Sequence, residues 1–532
     1  MDHATQYLCL AVLTLPLTVW SLYQTWGVLQ RPDLSLTSLM LRLGLVVATS
    51  KLSLTLINKF RFHLRARSLG CGSAPVCRSR DPILGLGHFL ESLRANRRNK
   101  LLELLAARFE RHGATYYFLA LGRWLLLTNE PENVKAILAT RMDDWPIAGP
   151  RLLAVLPVLG ARSVFSSNGA EWRHARAMIR PAFVRDQVAD LRCFERHVGN
   201  LVGKMPGDGA TFDLQKLLLD MTMDSSTDFM LGYSTNMLTD PSPEARQFIE
   251  DFEFASHESA RRARLGQILT RLPHRRLDES VERLKRFVRF YLAKAVAEGS
   301  EKRAEAKARD YVFLDELLKS GASEQFIVDQ ILSIIVAGRD TTANAMTAVF
   351  WYLARNPDAV AKMRGEIADV GEENPTWEQL RGMRYLNNII KEALRLCPPV
   401  ATNARTANKD TVLPRGGGPD GQQPILVPKG TSVRWSLYSM HRRKDIYGPD
   451  AEEFRPERWD SDLRVGWEYI PFHGGPRICL GQQFALTQMA YTLYRVFQRF
   501  KAIEARDRRP MRLQLSLTAS FAYGCLVGMT LA

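Results

Sequence analysis

The chain has 532 residues, of which 72 are Lys or Arg and 56 are Asp or Glu, so its formal charge is +16. Hydrophobic residues make up 46% and charged residues 24%, a globular balance that excludes a disordered or collagen-like protein. Seven scattered cysteines, none in a CxxC pair, argue against a disulfide framework or a zinc finger.

The positive charge is distributed along the whole chain. Lysines and arginines are interleaved with acids, as in 276–310, and no helix-turn-helix, zinc-finger or RNA-stacking motif accompanies them. Such runs are typical of solvated helix faces. We therefore expect no nucleic acid among the partners, and a membrane surface or an acidic protein instead.

The first predicted element is a membrane anchor. Residues 4–30 contain no charged side chain. As a helix they span about 40 Å, more than the roughly 30 Å hydrocarbon core of a bilayer. A signal peptide is the alternative, but the start carries Asp2 and has no evident small-residue cleavage site, which favours an uncleaved anchor.

A basic segment follows the anchor. Residues 34–80 hold eight basic residues and no acid, so the positive-inside rule predicts that this flank and the chain behind it face the cytosol. The apolar stretch 35–58 is interrupted by Arg42 and Lys51, and we interpret it as interfacial or partly inserted, with a second span as the alternative. The sequence thus predicts an anchor and juxtamembrane segment, 1–65, and one catalytic domain, 66–532.

The predicted fold of the domain is mainly α with a minor β-sheet. Apolar residues at helical spacing predict a helix of about 30 residues that includes 326–353, capped by Ser323 and ended by the Asn356-Pro357 step. Short β-prone runs predict the sheet, at 116–122, 124–129 and 424–428. Local Pro- and Gly-rich segments end a helix at 396–400 and form a loop at 415–421.

The strongest chemical signal is FHGGPRICLG at 472–481. Gly475 and Gly481 allow the backbone to approach the Cys479 sulfur closely, and Phe472 shields that sulfur from water. A helix predicted just after the segment places the cysteine near a helix amino end, where the dipole favours an anion. The pattern is typical of a thiolate that holds iron.

This segment resembles FxxGxRxCxG, the heme-ligand loop of the cytochromes P-450, which is a highly specific motif. The resemblance extends over essentially the whole chain after the anchor and implies the P-450 fold. It implies that Cys479 is the axial ligand of the iron of heme b, that Phe472 shields the sulfur and that Arg477 pairs with a heme propionate.

Two further motifs resemble the structural core of that family. Glu392 and Arg395, in KEALRLCPP, match its ExxR pair, and at spacing i, i+3 they share one helix face. Arg458, in FRPERW, matches the arginine of its PERF region. The resemblance implies one Glu392–Arg395–Arg458 network that locks the core around the heme loop.

The segment AGRDTT at 337–342 lies inside the long predicted helix and resembles the family's oxygen-activation motif. There a small glycine and a threonine hydroxyl loosen the helix over the iron. The resemblance implies that Thr341 hydrogen-bonds dioxygen and that Asp340 relays protons from water.

Other residues match weaker family positions. Trp172 and Arg176 fit WxxxR, and Arg405 lies six residues after Pro399, so the resemblance implies contacts from all three to the propionates. Five basic residues are candidates for a face that docks an acidic reductase, or else for ordinary solvated charge: Arg173, Arg180, Arg442, Arg443 and Lys444.

Within the family, the sequence is most similar to the fungal alkane and fatty-acid ω-hydroxylase group, through 171–183, 403–407, 411–421 and 472–488. This implies a heme-thiolate monooxygenase that hydroxylates an apolar substrate at or next to its terminal carbon. NADPH supplies electrons through cytochrome P-450 reductase, with cytochrome b5 as a further candidate partner. The implied location is the endoplasmic reticulum membrane, with the catalytic domain in the cytosol and membrane lipid as a partner.

Three alternatives stay open. The segments 145–166 and 516–528 depart from the group, so a P-450 that tailors a fungal specialised metabolite is the first alternative. A heme-thiolate isomerase or dehydratase is the second, and the Asp340-Thr341 pair argues against it because rearrangement without oxygen needs no proton delivery. A heme-binding sensor or steroid-binding membrane protein is the third.

Overall fold

The computed structural model describes residues 14, 16, 18–23, 26, 36–185, 189–265, 270, 272–298, 313–371 and 373–532. These residues form two compact units, one that extends to residue 75 and includes 409–429, and one that comprises 76–408 and 430–532. Most of the anchor predicted over 4–30 lies outside the described residues.

Helices make up most of the described chain, as the sequence predicts. They are α1 (Leu36–Ser68), α2 (Leu86–Arg97), α3 (Leu101–His112), α4 (Pro131–Lys135), α5 (Gly149–Leu159), α6 (Gly169–Ile179), α7 (Arg192–Lys204), α8 (Leu214–Leu231), α9 (Pro243–Leu265), α10 (Arg275–Glu298), α11 (Phe313–Lys319), α12 (Glu324–Leu353), α13 (Pro357–Val370), α14 (Trp377–Gly382), α15 (Arg384–Leu396), α16 (Leu437–Met440), α17 (Lys444–Tyr447) and α18 (Gln482–Arg499).

The strands are short. They are β1 (Val76–Cys77), β2 (Thr115–Ala120), β3 (Arg123–Thr128), β4 (Phe212–Asp213), β5 (Thr402–Thr406), β6 (Thr411–Gly417), β7 (Gln423–Val427), β8 (Ser432–Ser436), β9 (Phe500–Ala505), β10 (Leu513–Leu515), β11 (Ala519–Phe521) and β12 (Leu526–Leu531). The runs predicted at 116–122, 124–129 and 424–428 correspond to β2, β3 and β7. The prediction of a mainly helical fold with a minor sheet component is confirmed.

The first unit contains α1 and the antiparallel hairpin of β6 and β7. Arg65 at the end of α1 pairs with Asp410 at 2.9 Å, and the Gly72 N–H donates to the Pro424 carbonyl at 2.8 Å. Among the described residues, one helical stretch, Leu43–Ser68, is long and apolar enough to cross a membrane, and only 11% of its most apolar window is buried. It overlaps the stretch predicted as interfacial.

The second unit has a five-stranded sheet in the order β1-β2-β3-β8-β5. β1–β2 and β3–β8 are parallel, whereas β2–β3 and β5–β8 are antiparallel. Arg405 lies on β5, in register with Val433 of β8. Two smaller sheets, β4-β12-β9 and β10-β11, complete this unit.

The long helix predicted over 326–353 is α12, 30 residues or about 45 Å in length. It is buried around most of its circumference, with α8 as its most extensive neighbour, so it forms the centre of the core. Ser323 holds the N-cap position, but its hydroxyl makes no capping bond and instead accepts from Arg162 Nη1 at 3.4 Å. The helix ends before Asn356, and Pro357 begins α13, where its fixed φ suits a first helical turn.

A buried ionic network joins α15 to the segment 447–459. Arg395 donates from Nε and Nη2 to the two Glu392 oxygens at 2.9 and 2.8 Å, and Arg458 donates from Nε to Glu392 Oε1 at 3.3 Å. The side chains of Glu392 and Arg395 are 0% exposed and that of Arg458 is 2% exposed. The Trp459 indole N–H and the Arg455 backbone N–H also donate to this carboxylate, at 3.1 and 3.0 Å.

The remaining donors of both arginines are also satisfied. Arg395 Nη1 donates to the carbonyls of His441 and Ala451 at 2.8 and 2.6 Å. Arg458 Nη1 donates to the Tyr447 carbonyl at 2.6 Å and to Asp450 Oδ1 at 2.9 Å. Burying these charges is tolerable because each is paired and hydrogen-bonded. The network therefore fixes the chain that leads into the cysteine segment 472–481.

We expect Glu392→Ala to lower the free energy of unfolding by about 3–5 kcal/mol, because it leaves two buried guanidinium groups without their shared counter-charge. The measurement is the urea midpoint of the far-ultraviolet circular dichroism. Glu378→Ala is the control, since Glu378 and its partner Arg185 are both more than 60% exposed, and its loss is expected to stay below about 1 kcal/mol. Equal midpoints for the two variants contradict the prediction.

Candidate functional site

The segment 472–481 forms a tight loop that leads into α18. The Cys479 N–H donates to the Phe472 carbonyl at 3.0 Å, and the Ile478 N–H donates to the Gly475 carbonyl at 3.0 Å. Gly475 has φ +67°, and a Cβ there would lie 2.2 Å from the Leu138 carbonyl oxygen. Both the backbone conformation and the close approach therefore require glycine at 475.

The Cys479 thiol is surrounded by protein but faces a cavity, where its surface is exposed. Burial raises the pKa of the thiol, while a hydrogen bond from the Gly481 N–H and the charge of Arg176 lower it. Gly481 is the residue immediately before α18. The sulfur therefore has the amide donor and the helix amino end that the sequence predicts for a thiolate ligand.

The cavity encloses about 1820 Å³ of empty space, part of it open to solvent. Its lining contains all six side chains predicted to bind the cofactor: Trp172, Arg176, Arg405, Phe472, Arg477 and Cys479. Thr341 also lines it, whereas Asp340 does not. The structure thus brings together residues that lie more than 300 positions apart, and it leaves Asp340 outside the lining.

Four arginines meet at this cavity, and one of them, Arg151 on α5, was missed by the sequence analysis. None of the four has a carboxylate ion partner among the described residues. Arg477 donates to the Ser167 carbonyl at 3.0 Å and its guanidinium lies 4.3 Å from the Trp172 ring centroid. Arg405 donates to the Ala404 carbonyl at 2.8 Å. These cations are held in place by neutral groups.

The electrostatics of the cluster favour an anionic ligand. Burial, together with the neighbouring guanidinium groups, lowers the pKa of Arg477 to about 10 and holds that of Arg405 well below its ordinary value. Burial alone lowers the pKa of Arg151 to about 10, and its buried Nε has no hydrogen-bond partner among the described groups. Like charges at this density are costly unless a multiply charged anion binds between them.

His473 is a further lining residue that the sequence analysis missed. Its φ is +62°, and its Nε2 lies 2.6 Å from Asn403 Nδ2. Burial and the charges of Arg405 and Arg151 lower its pKa to about 3, so the imidazole is neutral. The signal for Arg151 was a lone charge inside the apolar run 149–159, whereas nothing in the sequence distinguished His473.

The predicted oxygen-activation segment lies on α12, which is an uninterrupted α-helix through 337–342. The Thr341 hydroxyl donates to the Ala337 carbonyl at 2.5 Å. A Cβ on Gly338 would lie 2.7 Å from Ser226 Oγ of α8, so the glycine serves close helix packing here. The predicted loosening of the helix is thus absent from these described residues, while the threonine lies at the cavity.

Asp340 pairs with the residue before it. Arg339 Nη1 donates to Asp340 Oδ1 at 2.8 Å, and the Asp340 side chain is 15% exposed. Burial raises the pKa of Asp340, and the charge of Arg339 opposes that effect.

Two of the basic residues considered for reductase docking are already paired. Arg442 is buried, donates to Glu452 Oε2 at 2.9 Å and lies 3.7 Å from the Tyr438 ring centroid. That prediction is wrong for Arg442, because a buried cation cannot present its charge to a partner. Arg443 donates to Glu130 and Asp445 at 2.9 and 2.6 Å. Arg173 and Arg180 are exposed.

Comparison with known proteins agrees with the site. The family model for cytochrome P-450 matches residues 78–521. Cytochrome P-450 monooxygenase himC of Aspergillus japonicus is 42% identical over 466 residues, which cover 86% of this chain and 83% of that protein. Cytochrome P-450 monooxygenase FPY7 of Fusarium mangiferae is 41% identical over 468 residues, 86% of this chain and 89% of that protein. Cytochrome P-450 52A12 of Debaryomyces hansenii is 37% identical over 468 residues, 84% and 89% of the two chains.

The family resemblance found in the cysteine segment is therefore confirmed. Members of this family bind a heme iron through a cysteine thiolate and act as oxidoreductases on hydrophobic substrates. Their electrons come from NAD(P)H through a redox partner. The match covers most of both chains, and this protein belongs to the cytochrome P-450 family of heme-thiolate monooxygenases.

Proposed function

We propose that this P-450 is a membrane-anchored hydroxylase that oxidises the terminal or subterminal carbon of a long-chain fatty acid or alkane. The observation that carries the proposal is the apolar lining supplied by α5, the segment 160–167, α12 and 517–518, which is interrupted only by Arg151 and threonine hydroxyls. No Asp or Glu of the described residues lines the cavity. Each methylene buried there contributes about 0.8 kcal/mol to binding, which suits an extended hydrocarbon chain.

The donor set around the cavity fits a heme. Cys479 supplies the thiolate that ligates the iron, with its charge stabilised by the Gly481 N–H. The guanidinium groups without carboxylate partners suit the two propionates of the heme, which gives a reason for four cations to line one cavity. When bound, the heme supplies the oxygen-activating centre of the reaction.

Thr341 and Asp340 are proposed to deliver protons to the reaction. The Thr341 hydroxyl lines the cavity and its bond to the Ala337 carbonyl fixes its orientation. Asp340, the next residue towards the N-terminus, is partly accessible to water and is held by Arg339. Asp340 therefore takes protons from water and Thr341 passes them into the cavity.

We also propose how the protein is placed in the cell. The apolar stretch Leu43–Ser68, together with the uncharged residues 4–30, anchors it in the endoplasmic reticulum membrane. The basic segment 34–80 keeps the catalytic domain in the cytosol. There NADPH–cytochrome P-450 reductase supplies electrons, cytochrome b5 is a further partner, and membrane lipid delivers the substrate.

A second candidate is the tailoring of a fungal specialised metabolite. The two segments that depart from the fatty-acid group, 145–166 and 516–528, both contribute to the cavity lining. The proteins named himC and FPY7 are also similar over most of the chain, at 42% and 41% identity. A changed lining on the same scaffold is the expected route to another substrate.

Product analysis tests the two candidates. The full-length protein, reconstituted with a fungal reductase and NADPH, is offered long-chain fatty acids and alkanes. Hydroxylation at or next to the terminal methyl supports the first candidate. No product from protein with a normal red-shifted band in its reduced carbon monoxide spectrum overturns it and favours the second. Cys479→Ala, which removes the thiolate, is the control expected to lack both band and product.

We expect Arg151→Ala and Arg477→Ala each to speed heme release by about tenfold or more, because a hydrogen bond to a charged group contributes roughly 1.5–3 kcal/mol. The measurement is the rate of heme transfer from the holoenzyme to excess apomyoglobin. Arg141→Ala is the control, since Arg141 is exposed and outside the cavity lining. Release at the wild-type rate from both test variants contradicts the propionate assignment.

We expect Thr341→Ala to keep the heme but to lower product formed per NADPH by about tenfold, with peroxide formed instead, because proton delivery is lost. Thr347→Ala is a matched control. Thr347 lies on the same helix and donates to the Ala343 carbonyl at 2.7 Å, but it does not line the cavity. If both variants show the same peroxide yield, Thr341 has no special part in proton transfer.

A further inference from the structure

Three acidic side chains from three helices surround one buried guanidinium, that of Arg339 on α12. Arg339 Nη1 donates to Asp340 Oδ1 and Nη2 donates to Glu253 Oε1 of α9, both at 2.8 Å. Asp220 of α8 is near enough for its charge to act on Arg339. The Arg339 side chain is 3% exposed, and its guanidinium lies 5.4 Å from the Phe252 ring centroid. This cation is therefore in the protein interior.

This cluster extends from solvent to the residue that precedes Thr341 in the chain. The Glu253 side chain is 52% exposed, whereas that of Asp340 is 15% exposed. Thr341, next to Asp340 along α12, lines the cavity. Hydrogen bonds therefore link the exposed Glu253 carboxylate, through the Arg339 guanidinium, to Asp340, whose neighbour in the chain is the residue proposed to pass protons on.

The charges of the cluster do not balance. One guanidinium faces the carboxyl groups of Asp220, Glu253 and Asp340, and full ionisation of all three leaves a net charge of −2 in a largely buried site. Such an excess is relieved when one carboxyl group keeps a proton. Burial raises the pKa of Asp340 and raises that of Asp220 to about 6.

Other charged groups near the cluster do not remove the excess. Lys216 faces Asp220 but is exposed, and burial lowers the pKa of His257, whose ring faces Asp340. Asp224 adds a further negative charge beside Asp220, although it is engaged by the Thr235 hydroxyl and the Met237 N–H. The negative excess therefore remains when the groups on all the packed helices are included.

We propose that Asp220 and Glu253 are positioning residues for proton supply to Asp340, forming with Arg339 an acid cluster that holds one exchangeable proton and renews it from solvent through Glu253. The inference rests on the proposed monooxygenase function. In each transfer a proton leaves the Asp340 carboxyl group towards the Thr341 hydroxyl, and a proton from water at Glu253 replaces it. Arg339 stays protonated throughout and holds two of the carboxylates with its planar fork.

The first test needs neither substrate nor electrons. Infrared difference spectra of the holoenzyme are recorded as a function of pH for the wild type, Asp220→Asn and Glu253→Gln. We expect a protonated-carboxyl band in the wild type that is lost as the pH rises through about 6, and we expect both variants to shift or remove it. A band that titrates near the ordinary value of about 4 in all three proteins overturns the cluster.

The second test measures coupling, the product formed per NADPH, between pH 5.5 and 8 (a range chosen to bracket the usual values of buried carboxyl groups, about 5 to 8). We expect Glu253→Gln to lower coupling by about threefold at the upper end, where protons are scarce, and less at the lower end. Glu253→Asp, which restores a carboxyl group, is expected to recover the wild-type profile. Glu250→Gln, at an exposed position on the same helix, is the matched control.

The outcomes are separable. Equal coupling and equal pH profiles for Glu253→Gln and Glu250→Gln overturn the proposal, and so does failure of Glu253→Asp to recover the profile. Glu253 is half exposed, so its variants carry the test even where Asp220→Asn does not fold. If the wild type forms no product from any lipid offered, the proposed function fails, while the infrared titration still decides whether the cluster holds its proton.

Discussion

The Glu392 carboxylate is the group around which the rest of this structure is organised. It accepts hydrogen bonds from Arg395, Arg458, Trp459 and the Arg455 backbone, in a site with no access to water. Removal of this one carboxylate leaves Arg395 buried without a counter-charge and Arg458 with Asp450 as its remaining acidic partner, which is a costly arrangement in the interior. Because its partners belong to α15 and to the segment 447–459, the network fixes the chain leading to Cys479 through the protein alone, before any ligand contributes.

The cavity beside the Cys479 loop differs from the Glu392 network, because its charged groups lack counter-charges in the described part of the chain. Arg405 and Arg477 there are held by carbonyls, an amide and an indole ring rather than by carboxylates, and a bound anion would balance the charge of the four arginines. A ligand that binds only the folded state raises the free energy of unfolding by an amount that grows with the logarithm of its affinity. The heme is therefore expected to stabilise the folded structure as well as to form the reaction centre, and the proposed contact from Arg151 would couple α5 to its binding.

The features predicted from the residues themselves were those close together in the chain, whereas groupings of distant residues, such as Arg458 with Glu392, came from the family resemblance. The cysteine loop and the Glu392–Arg395 pair depend on spacings of a few residues, and the long helix follows from periodicity. Glu253 could not be assigned, because its partner Arg339 lies 86 residues away on another helix and no local pattern records that contact. Ser323 occupies the predicted cap position without capping, because its hydroxyl accepts from Arg162 instead. Arg442 belongs to a basic run that suggested a docking surface, but tertiary packing buries its side chain.

Arg395 and Arg339 are both buried, but Arg395 stabilises a rigid network, whereas Arg339 is proposed to support proton transfer. The donors of Arg395 are matched to one carboxylate and to backbone carbonyls, so there is a single arrangement with every bond made. Arg339 is outnumbered by carboxylates, and its Nε has no partner among the described groups. In the proposed cluster one proton is shared among these neighbouring carboxyl groups, which titrate together rather than singly. Matched donors and acceptors stabilise the network that leads to the thiolate loop, whereas an excess of carboxylates lies where proton transfer is proposed.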